Sequence, residues 1–464
     1  MKMNKIILIA LATLTLAACK VTENYNSPAP PAGARFRGND GTDTTTIANI
    51  PWKQYFTDTI LQGHIEQALN NNLDLKVAVA RIKYAEANFK QSQAAFLPSA
   101  SLAANYTFIK PSVTQFNTPV TASTMSQYSL VASTSWEADI WGKLRSTKKA
   151  MVAALLASEA YKRSIQTEIV AAVANNYYAL MAYDQQLLIA EKTLEIRKTD
   201  TATMKALKTA AMVTGADVEQ SVANMYTAQI QAENIRKNIR ETENAVSVLL
   251  GITPDTIHRS ALQSQTPSSD LRTGIPVQLL SNRPDVQEAE LKFRNAFELT
   301  NVAQTNFYPS LTISGSGGWA TVNTLRGFFD GSFFYGSLVG GLTQPIFNKG
   351  LNKQRLAQAR ATQEEALYNF QETLLTASQE VADALYSYHN AVNLNAARVQ
   401  QITSLDKAVE YTKELLKFTS KVNYTDVLAS ETSFLSAQLN SVNDKLQQLQ
   451  ATVNLYRALG GGWK

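Results

Sequence analysis

The chain has 464 residues with 43 Lys or Arg against 38 Asp or Glu, and its net charge of +5 is spread without a basic block, so it offers no electrostatic footprint for a nucleic-acid partner. Only 17% of residues are charged, against roughly 25% in an average domain, and uncharged polar residues fill the gap, so faces can be wet without being strongly charged. A single cysteine excludes an intrachain disulfide, and His64, His258 and His389 are far apart and lack metal-site spacing, so no metal or cofactor is expected.

Lys2 and Lys5 precede an apolar run from Ile6 to Ala18, too short to cross a bilayer as a helix, and residues 1–18 read as a secretory signal peptide. The run ends in Leu16-Ala17-Ala18-Cys19, which resembles a bacterial lipobox. On that resemblance Cys19 becomes the mature N-terminus and carries acyl chains, which anchor stably once there are two or more. The stretch Ser27-Pro28-Ala29-Pro30-Pro31-Ala32-Gly33 is extended and poor at burying surface, so residues 19–56 read as a lipid-anchored N-terminal tether. No later run reaches 18 apolar residues, and no transmembrane helix is expected.

Leu61, Ile65, Leu69, Leu73, Val77 and Ile82 predict a helix from Thr57 to Ala95, stopped by Pro98. An extended segment to Lys110 follows, then a polar loop from Pro111 to Ser126. Tyr128 to Ile140 alternates in two-residue steps, with only Val131 out of place, and predicts a strand that faces two environments. A long helix runs from Gly142 to about Ala211, breaks near Met212 to Ala216, and continues to Leu250-Gly251, where glycine supplies a C-terminal cap.

The same order then recurs. Pro309 follows Pro98 by 211 residues, and Asp426 and Gly460 follow Asp217 and Gly251 by 209 each, so the chain is an internal duplication. The first repeat is 57–251, with its strand pair in 97–141. The equatorial connector is 252–283, rich in proline, and the second repeat is 284–459, with its strand pair in 308–347. Residues 460–464 form a C-terminal tail. In the last helix Leu435, Leu439, Val442, Leu446, Leu449, Val453 and Tyr456 step by 4 and 3, the seam of a coiled coil.

Four strands cannot close a barrel, and an open edge cannot face lipid with its backbone groups unpaired. Closure therefore requires several chains, and three would supply 12 strands, within the range of outer-membrane barrels, continued by 12 helices around a wet lumen. The elements read as mainly α with a β-barrel portion, internally duplicated; a trimeric 12-stranded outer-membrane β-barrel continued by a 12-helix periplasmic α-barrel is what the family resemblance of the following motifs implies.

The lipobox at Cys19, Trp136 to Leu144, Asn282-Arg283-Pro284-Asp285-Val286, Phe307-Tyr308-Pro309-Ser310-Leu311, Pro345-Ile346-Phe347 and Leu459 to Trp463 resemble the TolC-like outer membrane efflux protein family, in its lipoprotein, NodT-type branch. The match covers nearly the whole mature chain. It implies a homotrimeric channel-tunnel in the outer membrane, docked to a periplasmic adaptor and an inner-membrane efflux pump of the resistance-nodulation-division type. It also implies contact with outer membrane lipid and no catalysis.

Carried over residue by residue, Asp426 matches the aspartate that lines the periplasmic gate, and Asp217 the aspartate that tethers neighbouring helices. Lys421 and Asp217 are candidates to link neighbouring hairpins. The chain departs from the family's pattern at Ala429, where a second gate aspartate is usual, and at Ala211 and Ser420, where glycine is frequent. Each aspartate also opens a helix and is placed to cap it. Three carboxylates ~8 Å apart in water repel by only ~0.5 kcal/mol per pair, so an acidic ring favours cations rather than holding a gate shut. The alternatives are the exit duct of a type I protein secretion system, an adaptor or scaffold, which would lack the strand pairs, and an enzyme, for which no catalytic group, phosphate loop or metal cluster is found.

Overall fold

The computed structural model describes residues 21–28, 44–110, 124–268, 271–274, 278–418 and 422–464. In chain order its long elements are helices α1 (Thr59–Asn71) and α2 (Leu73–Ala94), strands β1 (Ser99–Ile109) and β2 (Met125–Ala138), helices α3 (Lys143–Thr209), α4 (Gly215–Leu249) and α5 (Pro284–Thr305), strands β3 (Ser310–Val322) and β4 (Phe334–Thr343), and helices α6 (Leu351–Phe418) and α7 (Tyr424–Ala458). The 67 residues of α3 and 68 of α6 correspond to about 100 Å of helix each. Among the described residues the connector holds only a single turn at Leu262–Ser264 and a short helix at Leu279–Asn282.

Two boundaries differ from the pattern, each for a local reason. The helix expected from Thr57 to Ala95 is divided at Asn72, whose Oδ1 accepts from the amides of Asp74 (2.9 Å) and Leu75 (3.2 Å) while its Nδ2 donates to the Leu249 carbonyl at 3.0 Å. A side chain that satisfies nearby backbone competes with helix continuation. Strand β2 stops at Ala138 rather than Ile140, because the Asp139 carboxylate accepts from the amides of Leu144 (2.9 Å) and Arg145 (3.0 Å) and so starts α3.

Two compact units make up the chain. Among the described residues, one draws on 21–28, 82–110, 124–157 and 289–369 and contains a four-stranded antiparallel sheet in the order β1-β2-β3-β4. Its register puts Ser101, Ser133, Ser316 and Ser337 in one row across all four strands, with Ser99, Ser135 and Ser314 in the row beside it. On the other face Ala104, Leu130, Trp319 and Phe334 form a row, and Trp136 pairs with Ile313. Glu137 is the one charged residue within the four strands. Val131 breaks the polar face, and it lies opposite Gly318. A Cβ on Gly318 would stand 2.0 Å from the Leu130 carbonyl oxygen and 2.8 Å from Val131 Cα, so β3 approaches β2 here as only glycine permits.

The other unit draws on the described residues within 44–81, 158–288 and 370–464. Its core buries Ile47, Leu61, Ile65, Tyr177, Leu180, Leu455 and Tyr456. Helices α3 and α4 meet along a narrow seam where Ala190, Ala232 and Ile235 pack with Leu187 and Ile239, which is coiled-coil geometry rather than a wide core face. Residues within the expected tether take part in this core, since Ile47 and Phe56 are buried and Thr46 pairs with Thr273.

Candidate functional site

The two helix turns that carry the predicted aspartates are built alike. At the start of α4 the Asp217 carboxylate accepts from the Thr214 amide at 2.8 Å and hydroxyl at 2.7 Å, and the Asp217 amide donates back to Thr214. At the start of α7 Asp426 accepts from the Asn423 amide at 2.9 Å, and its own amide donates to Asn423 Oδ1 at 3.0 Å. Both are complete capping boxes, with side chain and backbone satisfied reciprocally. Hydrogen bonds from the Thr214 hydroxyl and amide hold the Asp217 carboxyl below the usual carboxylate range. Lys421 and Ser420 lie outside the described residues, and among those described neither aspartate has an ion-pair partner.

Ala211 closes α3 with φ at 54°. That is the left-handed conformation for which glycine is the usual choice, so alanine holds here a backbone that glycine would adopt with less strain.

Beyond the turns lies a buried polar cluster that the sequence reading did not single out. Arg197 on α3 hydrogen-bonds Glu431 on α7, and Glu431 also takes Lys413 of α6 at 2.6 Å. Arg197 reaches Asp200 at 3.5 Å, and Thr201 shares a 2.9 Å hydrogen bond with Ser221 of α4. Arg197 is 4% exposed and Glu431 9%, so the charges meet in low dielectric. Burial pushes the Asp200 carboxyl up, and the nearby Glu431 charge adds to this against the attraction of Arg197 and Lys413. The four helices of both hairpins thus converge on one cluster. A signal was available: Leu194, Arg197, Thr201 and Met204 continue the α3 seam in steps of 3 and 4, so two polar residues occupy core positions of a coiled coil.

A second group surrounds the residues that follow Cys19, which itself lies outside the described residues. Glu23 and Asn301 of α5 exchange two hydrogen bonds, both 3.0 Å, between the Glu23 backbone and the Asn301 amide. The Tyr25 ring packs 5.8 Å from Phe293 and 5.6 Å from Phe297, and a Cβ on Gly142, at the junction of β2 and α3, would stand 3.4 Å from the Thr22 side chain. Residues 21–28 are therefore strapped to α5 rather than free.

A third group joins two of the sequence motifs. Arg283 is buried and donates to Asp285 at 2.5 Å, to Glu380 at 2.7 Å and to the Ala458 carbonyl at 2.9 Å, while Trp463 donates to the Asn282 carbonyl at 3.1 Å. Gly460 abuts the Asn282 backbone so closely that a Cβ would come within 2.4 Å of its carbonyl oxygen.

Compared with known proteins, the chain matches the family profile described as outer membrane efflux protein over residues 64–252 and again over 275–461. The chain belongs to the outer membrane efflux protein family. It is 28% identical to the probable efflux pump outer membrane protein SepC of Pseudomonas putida over 468 residues, which cover 98% of this chain and 96% of the relative. It is also 28% identical to outer membrane protein OprJ of Pseudomonas aeruginosa over 459 residues, covering 98% and 95%. Among solved structures, a membrane protein from Pseudomonas aeruginosa superposes with a TM-score of 0.87 at 26% identity, covering 96% of this chain and 98% of that one. This outer membrane efflux protein therefore has the expected fold class, mainly helical with a β-barrel part, and its relatives are efflux components rather than secretion ducts.

Proposed function

We propose that three copies of this chain assemble into the outer-membrane channel of a tripartite efflux pump. In this reading the chain is a passive conduit, not an enzyme, and receives substrates from an inner-membrane pump through a periplasmic adaptor. The observation that carries the assembly is the sheet: β1 and β4 have no strand partner on their outer sides among the described residues, while one face is serine-lined and the other carries Trp and Leu. Backbone groups at such edges must be paired before the apolar face meets lipid, and twelve strands from three chains do this with the polar face turned to the lumen. Acylation at Cys19 accords with a strap that begins at the strand–helix junction.

In the same reading, Asp426 forms the acidic ring of the gate, with Asp217 and Lys421 linking neighbouring hairpins. Because both aspartates are held by their own capping boxes, their carboxylates keep a constant position whether or not the hairpins part. The buried Arg197–Glu431 pair, and not carboxylate repulsion, then governs closure. Planar-bilayer recording of Asp426→Ala tests the ring: block by divalent cations should weaken, and unchanged block would remove Asp426 from the gate.

A further inference from the structure

Helix starts favour negative charge, because the free amides of the first turn leave about half a positive charge there. Helices α2, α4, α5 and α7 follow this rule, with Asp74, Asp217, Asp285 and Asp426 in their first turns. The two helices that leave the sheet, α3 and α6, have no acid in that turn, although Asp139, just before α3, accepts from the amides of Leu144 and Arg145. Lys143, Arg145, Lys148 and Lys149 all precede the first carboxylate of α3, Glu159, and Lys349, Lys353, Arg355 and Arg360 all precede the first of α6, Glu364. Eight cations and no acid thus lie between Lys143 and Glu159 and between Lys349 and Glu364, in corresponding places of the duplication.

Three of the eight are matched within the protein: Lys143 to Glu137 at 3.0 Å, Arg145 to Asp139 at 3.1 Å and Lys149 to Glu298 at 3.8 Å. Lys148, Lys349, Lys353, Arg355 and Arg360 have no carboxylate partner among the described residues, and the last four are exposed. Lys353 and Arg360, seven residues apart, share one face of α6. Arg355 lies on another, where it lines a cleft of about 310 Å³ with Lys143, Asn352, Trp141 and Tyr308. Glu137 and Asp139 border the same cleft, but each is already paired. The Trp141 and Tyr308 rings lie 5.0 Å apart, and the Trp141 indole donates to the Pro309 carbonyl at 2.7 Å.

We propose that this basic collar binds the phosphodiester headgroups of anionic phospholipids in the leaflet nearer the helices, with Arg355 anchoring one headgroup in the cleft. The inference rests on the reading of the sheet as a membrane-barrel segment. A lipid, rather than an acidic protein, fits because the collar begins where the apolar sheet face ends: Lys143 follows β2 by five residues and Lys349 follows β4 by six. Amphipathic rings beside unmatched cations at that level suit a headgroup layer, in which cations attract anionic lipid.

The test reconstitutes the full chain into vesicles of equal phosphatidylglycerol and phosphatidylcholine, extracts it with mild detergent and quantifies the lipid retained. Each cation near an anionic surface is worth about a five-fold preference, so the triple substitution Lys353→Gln, Arg355→Gln, Arg360→Gln should cut the phosphatidylglycerol enrichment at least ten-fold. The charge-conserving triple Lys353→Arg, Arg355→Lys, Arg360→Lys should keep it. Equal retention of both lipids by the native chain, or unchanged enrichment in the glutamine variant, would overturn the proposal. So would full displacement of the lipid by inorganic phosphate, which would make the collar a free-anion site. Failure of the native chain to enter vesicles at all would instead refute the membrane reading on which the collar depends.

Discussion

Substituting Glu431→Gln removes one charge at the point where both helix hairpins meet. Glu431 accepts from Arg197 and from Lys413, and without its charge Arg197 keeps only Asp200, 3.5 Å away. The Lys413 side chain is 46% exposed, so its pairing contributes little. Arg197 is buried, and breaking a buried pair by neutralising one partner costs ~3–5 kcal/mol. Glutamine retains an accepting oxygen, which places the expected cost near the lower end, about 3 kcal/mol. At 1.36 kcal/mol per tenfold change, local opening of the hairpins should rise about 100-fold. Hydrogen–deuterium exchange of the protein reads this directly, in amides of residues 195–205 and 424–434, with the exposed Glu219→Gln as control. Exchange within two-fold of the native protein, in a variant with native melting behaviour, would show that the pair does not hold the hairpins together.

Three further outcomes follow from particular contacts. Ala211→Gly should stabilise the α3–α4 turn by about 1 kcal/mol, because the left-handed backbone at φ 54° favours glycine, and slower exchange of the adjoining amides would register it. Gly318→Ala should abolish trimer formation on native gels while helical content persists, since its Cβ would collide with the Leu130 carbonyl in the middle of the sheet. Burial pushes the Asp285 carboxyl up, but hydrogen bonding to and the charge of Arg283 outweigh this and hold it below the usual range. A carboxyl depressed in the folded state stabilises above its unfolded pKa of about 4 and loses that contribution as pH falls through the lower folded value. Melting temperature should therefore fall less steeply below about pH 4 in Asp285→Asn, from a lower starting point at neutral pH.

Much of the fold was legible because helix and strand periods are local. The 3- and 4-residue steps of α4 and α7 placed both helices within one or two residues of their ends, and the two-residue alternation from Tyr128 located β2. Breaks were harder, since a helix ends where some side chain offers the backbone a better partner. Asn72 spends its side chain on Asp74, Leu75 and Leu249, the last of these 177 residues away, and nothing in its immediate neighbours announces that.

For the site, the sequence by itself determined the two capping aspartates, because Thr214 with Asp217 and Asn423 with Asp426 are contacts of three residues' span. It also determined the duplication. Only the tertiary structure decided which charges are buried and matched. Arg197 and Glu431 are 234 residues apart, and each alone is a polar residue on a seam that otherwise asks for an apolar one. Their pairing depends on the axial register of α3 against α7, which seam packing and contacts such as Gln186 with Asn443 set together. A seam repeats every seven residues and looks the same one turn up or down, so periodicity supplies the faces that meet but not the register at which they stop.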